Sequence, residues 1–497
     1  MAGFTRRSVA TVLLSLFCGV CAPVVAAQDP SNTPPQTAAP ATDNAPATPA
    51  QQPPPPEQRP LNPTQEIAGQ HPEGNALDVG PVELRIGGFL GLTGIYRSTN
   101  IGGGPGTPFA SIPYADGVQG NVSEARLTAE SSRLSIRVDA AFPEAGERFH
   151  KLSGYFEMDF SGNAPGNVAI TASSFTLRLR HAFAEVQYGE TFFMSVGQAF
   201  TLMTPVKDQL STWPSDIELT QAVDTNYLAG MLWARLPQVR VMWRRSRRFN
   251  WAASVENPEQ QIGNGLVRLP GCCSSDIEAQ YNTGSEGLRV PNLMPDVVTR
   301  VAVNPVKTVH LDAGGVLRVF RATVAPYDES FRQLGGGASL NARVSLPGRT
   351  VLIGQSAVGS GLGRYVGGLM PDVAFRSDGS ISPIGTASWV AGVEHRVSPL
   401  AAIGAYYSGV AASSQYSLDQ DGRFIGYGFP GAPTSSNRRI QEWTATFSRL
   451  VTKTARRGSI QFGVQTSWLK REPWSSGDGP PSASALMFFA QLRYNLP

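Results

Sequence analysis

The chain has 497 residues, with 41 Lys and Arg against 38 Asp and Glu, and a formal net charge of +3. So balanced a charge leaves no overall footprint for nucleic acid or another polyanion. A mean hydropathy of −0.13, with no run beyond the first residues near the roughly 18 apolar residues of a spanning helix, excludes a helical membrane protein.

Arg6 and Arg7, the apolar run Val9 to Val20, and Val25-Ala26-Ala27 read as a secretory signal over residues 1–27. The apolar run is too short for an anchor and ends near Pro23. Residues 28–80 are rich in Pro, Ala, Thr and Gln and include Pro53 to Pro56. Such a segment cannot bury enough apolar area to offset its ordering entropy, so a disordered periplasmic tail is expected, either a linker or a contact to the cell wall.

From residue 81 to 497 one pattern repeats: a run alternating with period two, a tight turn, a second such run and a long polar loop. Short breaks fall at 142–146, 187–190, 245–248, 304–306, 346–349, 397–399 and 453–457. Long breaks fall at 98–121, 163–171, 201–236, 258–296, 322–333, 359–384, 411–436 and 471–482. Alternation of short and long connections puts all turns at one end of a sheet and all loops at the other. This predicts an all-β chain, an up-and-down antiparallel transmembrane barrel of about 16 strands with periplasmic turns and surface loops.

In the first strand Glu83, Arg85 and Thr93 share one parity, while Leu84, Ile86, Leu90 and Leu92 share the other. Period two assigns the first set to the lumen and the second to outer-membrane lipid. In 123–140 the polar parity changes from Glu124, Arg126, Thr128 and Glu130 to Arg133, Ser135, Arg137 and Asp139. A bulge at Ser131-Ser132 would restore one lumen face, because one extra residue inverts the side-chain phase. In the last strand Gln491, Arg493 and Asn495 are expected to point inward, with Phe488, Leu492, Tyr494 and Leu496 toward lipid; the chain ends on Pro497.

Reading inward parity strand by strand collects Arg85, Arg97, Arg126, Arg133, Arg137, Arg178, Arg180, Arg240, Arg300, Arg318 and Arg343. Inward acids are fewer: Glu124, Glu130, Glu157 and Asp159. Guanidinium groups stay charged and match carboxylate geometry, so such a ladder lowers the barrier to anions. The alternative is that the arginines pair with those acids and stiffen the wall. The third long loop carries Lys207, Asp208, Asp216 and Glu218. Folded into the barrel, it would set these against the arginines across a constriction; otherwise it is a surface loop.

Arg126, Ser132-Arg133-Leu134, Gly154 to Phe160, Leu177 to Phe183 and Gly197 to Thr201 form blocks that resemble the dicarboxylate-channel (DcaP-like) porins. The resemblance implies a 16-stranded homotrimeric channel for small anionic solutes in the Gram-negative outer membrane. It carries over Arg126, Arg133, Arg178 and Arg180 as pore-lining groups. Where that family has a helical coiled-coil segment, this chain has only its Pro-rich tail.

Cys272 and Cys273 are adjacent and are expected either as a vicinal disulfide or as two thiols. The five histidines, His71, His150, His181, His310 and His395, have no metal-ligand spacing, and the Gly-rich stretch 359–363 precedes no helix. No cofactor, metal or catalytic group is therefore expected. The function this supports is passive diffusion of small hydrophilic, preferentially anionic solutes such as dicarboxylates. A structural barrel tethered to the wall by its tail is the alternative.

Overall fold

The computed structural model describes residues 76–142, 149–163, 173, 175–263, 265–281, 290–328, 330–366, 370–454, 457–477 and 479–497. The expected signal and nearly all of the expected tail lie outside the described residues.

The strands are β1 (Val82–Arg97), β2 (Glu124–Thr128 continued by Arg133–Ala141), β3 (Phe149–Asp159), β4 (Arg178–Tyr188), β5 (Phe192–Phe200), β6 (Arg235–Ser246), β7 (Phe249–Glu256) and β8 (Asp296–Val306). They continue as β9 (Val309–Thr323), β10 (Ser330–Leu346), β11 (Thr350–Ser360), β12 (Gly385–Ser398), β13 (Ala401–Ala412), β14 (Asn437–Thr454), β15 (Gly458–Pro473) and β16 (Ala483–Asn495). Each pairs antiparallel with its chain neighbours, and β16 closes onto β1 with Leu90 opposite Tyr494 and Thr93 opposite Gln491. The sheet has 18 segments. One is the short strand Ala76–Val79 and two are the halves of β2, so 16 strands close the barrel. Closure leaves no unpaired edge, as a strand wall in lipid requires.

Every short connection falls at one end and every long one at the other, as expected from the sequence. Several boundaries differ, among them the start of β4, which waits until Arg178. Asn304 to Val306 stay in β8, and the turn is made by Lys307 and Thr308, so Pro305 sits at a strand end. The fifth loop shrinks to 324–329 because β9 and β10 pair out to Thr323 and Ser330. Ala76–Val79, placed in the unstructured tail, instead folds back on β1 through Gly80, whose φ of +64° suits the reversal.

The two faces invert the usual soluble pattern. Leu90, Leu92, Leu317, Leu340, Val358, Leu486 and Leu492 are exposed on the outer surface, whereas charged and hydroxyl side chains are buried inside. Tyr188, Phe192, Trp243, Phe249, Trp251 and Tyr494 stand outside near the short turns, and Trp443 and Trp468 stand outside nearer the long loops. Aromatic belts at two levels are what a bilayer-spanning wall needs at its two interfaces. The apolar interior is made largely by loops: Phe109, Ile112, Leu202, Met203, Leu210, Tyr281, Tyr365, Phe375 and Tyr427 are buried together.

Candidate functional site

Two irregularities set which side chains face the interior. Between the pairs Thr93–Thr128 and Phe89–Arg133, β1 spends three residues and β2 spends four. That single extra residue, at the Ala129 to Ser132 break, turns both polar halves of β2 inward, as the parity change in the sequence required. Gly88 makes room for it. Its φ is +121°, and a Cβ there would stand 2.2 Å from the Arg133 carbonyl oxygen. The second bulge has no counterpart in the parity reading. Glu157 pairs with His181 but Met158 with Leu179, so Arg180 is the inserted residue of β4. Arg178 and Arg180 point inward, and His181 is buried between Phe200 and Tyr155 rather than facing outward.

The arginine ladder divides into two groups with different partners. The first group holds loops. Arg97 donates to the carbonyls of Gly103 and Gly104 and pairs with Glu124 at 2.7 Å. Arg240 donates to Ser211 O at 2.9 Å and to Phe200 O at 2.5 Å. Arg300 pairs with Asp312 and donates to Leu202 O and Met203 O. Arg318 joins Asp296 and Asp372 at 2.9 and 2.6 Å, and Arg343 meets Glu218 at 2.7 Å. These five are buried and their charges largely matched.

The second group runs along β2, β4, β16 and the start of β6, with Arg180 buried and the others partly or well exposed. Arg126 and Arg178 have side chains 37% and 38% exposed although their strand partners point inward. Arg178 and Arg180 each lie 2.8 Å from Asp159, and Arg180 reaches Glu157 at 2.6 Å. Arg133 stands 3.8 Å from Glu157 and 5.5 Å from the Phe89 ring, with Arg493 over the same ring at 4.3 Å. Arg235 lies over Trp233 at 5.4 Å, within electrostatic reach of Arg133, Arg178 and Arg180. Arg126, Arg133, Arg178 and Arg180 thus share the carboxylates of Glu124, Glu157 and Asp159, Arg235 and Arg493 stand within electrostatic reach of Arg133 and Arg180, and positive charge is in excess. Glu130, the fourth expected acid, is buried against Thr128. Toward the short turns the line continues through Arg137 and Arg85, which are paired with Asp139 and Glu83 on their own strands.

The facing wall is the third long loop, residues 201–234, which folds into the barrel. It is held by its main chain: Leu202 N donates to Glu256, Gln221 N to Tyr406, Val223 N and Asp224 N to Gln465, and Ala229 N to Glu442. Gly230, at φ +81°, lets the chain approach β13 so closely that a Cβ would stand 2.0 Å from Gly409 O. Tyr227 of this loop faces the second arginine group. Burial raises its hydroxyl pKa, but Arg133, Arg180 and Arg235 outweigh that and bring it below its ordinary value.

Of the four loop residues singled out in the sequence, Glu218 meets a ladder arginine directly, Arg343. Lys207 donates to Ser215 O at 2.5 Å, Asp208 stands 3.8 Å from Arg247, and Asp216 lies beside Lys207. These three open onto a cavity at the short-turn end rather than onto the exposed arginines. Cys272 and Cys273 are joined sulfur to sulfur in the fourth loop, the first exposed and the second buried. Arg235, Tyr227 and Trp233 escaped the sequence reading because they stand in a stretch whose Pro and Gly content reads as loop; Arg493 was placed inward but not counted with the ladder.

In class, the molecule is a 16-stranded porin-type β-barrel with an inward-folded third loop. Its fold is similar to that of DcaP, an outer membrane channel of Acinetobacter baumannii, with a TM-score of 0.60, 15% identity, and coverage of 85% of this chain and 100% of that one. The resemblance to DcaP-like porins therefore holds at the level of fold. An anion-selective porin from Comamonas acidovorans aligns with a TM-score of 0.47 and 11% identity over 84% of this chain and 100% of its own. No protein-family model matches the chain, and no curated protein matches it significantly.

Proposed function

We propose that the barrel is a porin of the Gram-negative outer membrane, exported through a cleaved signal peptide and assembled as a homotrimer. It allows passive diffusion of small hydrophilic solutes and favours anions such as dicarboxylates. The observation that carries this reading is the line of six guanidiniums along β2, β4, β6 and β16, of which four share three carboxylates. Fixed positive charge beside a water-accessible path lowers the local barrier for anions and raises it for cations. The forked guanidinium donates two hydrogen bonds to a carboxylate, and successive arginines let a dianion pass from one fork to the next. Phe89, Tyr227 and Trp233 supply apolar faces beside that line, which suits solutes with a short hydrocarbon or aromatic body between carboxylates.

The test is planar-bilayer conductance of the refolded protein under a potassium chloride gradient. A steady conductance with a reversal potential on the chloride side is the expected result. No conductance from protein with the spectrum of a folded barrel would discard the channel reading, and a cation-side potential would discard the preference.

A further inference from the structure

The outer face of the barrel changes character where β14 and β15 rise past the aromatic belt toward the long loops. Trp389, Tyr407, Trp443 and Trp468, one each from β12, β13, β14 and β15, form a continuous row. Their ring centroids lie 6.2, 5.0 and 4.8 Å apart in that order. Beyond Trp443 and Trp468 the register sets Gln441 opposite Lys470 and Arg439 opposite Glu472, on the same outward face. Asn437 is opposite Pro473, so Arg438 is an inserted residue. That bulge brings two consecutive arginines to one side of the wall, which strict alternation would forbid.

Arg438, Arg439 and Lys470 reach Glu472 at 3.1, 2.9 and 2.9 Å, and all three side chains are at least 32% exposed. Among the described residues no other carboxylate pairs with any of them. One carboxylate cannot neutralise three cations. Two donors of the patch are also left over: Arg439 Nε and Trp389 Nε1 have no hydrogen-bond partner. At a rise of about 3.4 Å per residue and a tilt of about 40°, Lys470 stands about 5 Å in height beyond Trp468, and Arg439 about 10 Å beyond Trp443. Aromatic girdles sit at the head-group boundary, so these cations stand at the level of lipid heads, on the side of the long loops.

We propose that this patch docks a phosphorylated lipid of the outer leaflet. Its head, a phosphate monoester, is held by Arg438, Arg439 and Lys470, and its acyl chains lie against Trp443, Trp468 and the exposed Leu486 opposite Trp468. Guanidinium forks match phosphate oxygens, and the ammonium adds a third donor direction. A free phosphate would have no use for the aromatic floor. A diester head brings a single negative charge to three cations, and a monoester brings up to two. The inference rests on the outer-membrane reading, which puts the long loops at the cell surface.

The experiment titrates the refolded full-length protein in detergent with lipid A, and with the same lipid stripped of its phosphates, reading bound lipid by native mass spectrometry. Saturable binding of lipid A is expected, weakened about tenfold or more in Arg438→Gln/Arg439→Gln. The stripped lipid should bind parent and variant equally weakly. Arg245→Gln/Arg248→Gln removes two cations at the short-turn end, one of them over Trp243, and should bind as the parent does. Should the first double variant fail to fold, Lys470→Gln carries the same comparison. No binding of lipid A, equal binding of both lipids, binding untouched by loss of the patch cations, or an equal loss in the short-turn variant overturns the site. Conductance of the same preparation separates the two ideas: a conducting barrel that binds no lipid A loses this inference alone.

Discussion

The guanidinium of Arg137 lies 4.2 Å from the centroid of the Trp213 ring, joining β2 to the deepest part of the third loop. The same indole donates through Nε1 to Glu185 at 2.9 Å and packs edge-on against Tyr155 and Phe183. A partly desolvated cation–π contact contributes roughly 0.5–2 kcal/mol. Trp213→Ala should therefore free this turn of the loop while leaving the strands paired. Single-channel conductance should rise and become noisier, with the β-sheet spectrum unchanged. A quiet channel of parental conductance would show that the loop is held elsewhere.

Arg133 and Arg178 face the open path and share their acids with Arg180. Arg133→Ala and Arg178→Ala should each lower anion preference without unfolding the barrel. The reversal potential under a salt gradient should move toward zero in both. Parental potentials in both would mean that these arginines stiffen the wall and do not set selectivity.

The Arg343–Glu218 pair is different, because Glu218 is fully buried. Arg343→Met should leave that carboxylate without its counter-charge, a loss of about 3–5 kcal/mol for a broken buried pair. Denaturant unfolding in detergent measures it. Adding Glu218→Gln to the same protein should recover most of the loss, and failure to recover would place the defect in packing rather than charge.

Asp224, in the third loop, accepts hydrogen bonds from Thr107 N and Asn226 N. Burial pushes its carboxyl above the ordinary 3.8, and those bonds only partly oppose the shift. The folded chain therefore holds this proton at a pH where the unfolded chain has released it. Stability from this group is complete below pH 3.8 and is lost as pH rises through the folded value. Asp224→Asn, which keeps a neutral side chain of similar shape, should flatten that part of the thermal-stability profile above pH 3.8. An unchanged profile would assign the slope to other groups.

How much could be read from the chain follows from the range over which each feature is determined. Turns and loops are local, so all seven turns and eight loops were legible, with slips such as those where Pro305 or a long hairpin extended the pairing and where the second loop ran on to Arg178. The break in β2 was legible because polar residues recur on both sides of Ser131 and Ser132 and betray the change of phase. The bulge at Arg180 was not, since Arg178 and Arg180 already share a parity and only His181 moves. Inward direction was legible for the arginines, but their division into loop-holding and exposed groups was not. That division depends on which carbonyls the inserted loops bring to Arg240 and Arg300, contacts between residues as far apart as Met203 and Arg300.

The wall grips the third loop largely through amide N–H groups: Glu256, Tyr406, Gln465 and Glu442 each accept from the loop's backbone. An amide is common to every residue except proline. The path of the loop is thus written in the strands, while several of its own side chains are spared the task of anchoring it. New chemistry can be installed on this segment, by drift or by design, at positions such as Tyr227 and Trp233 without moving the trace that carries them.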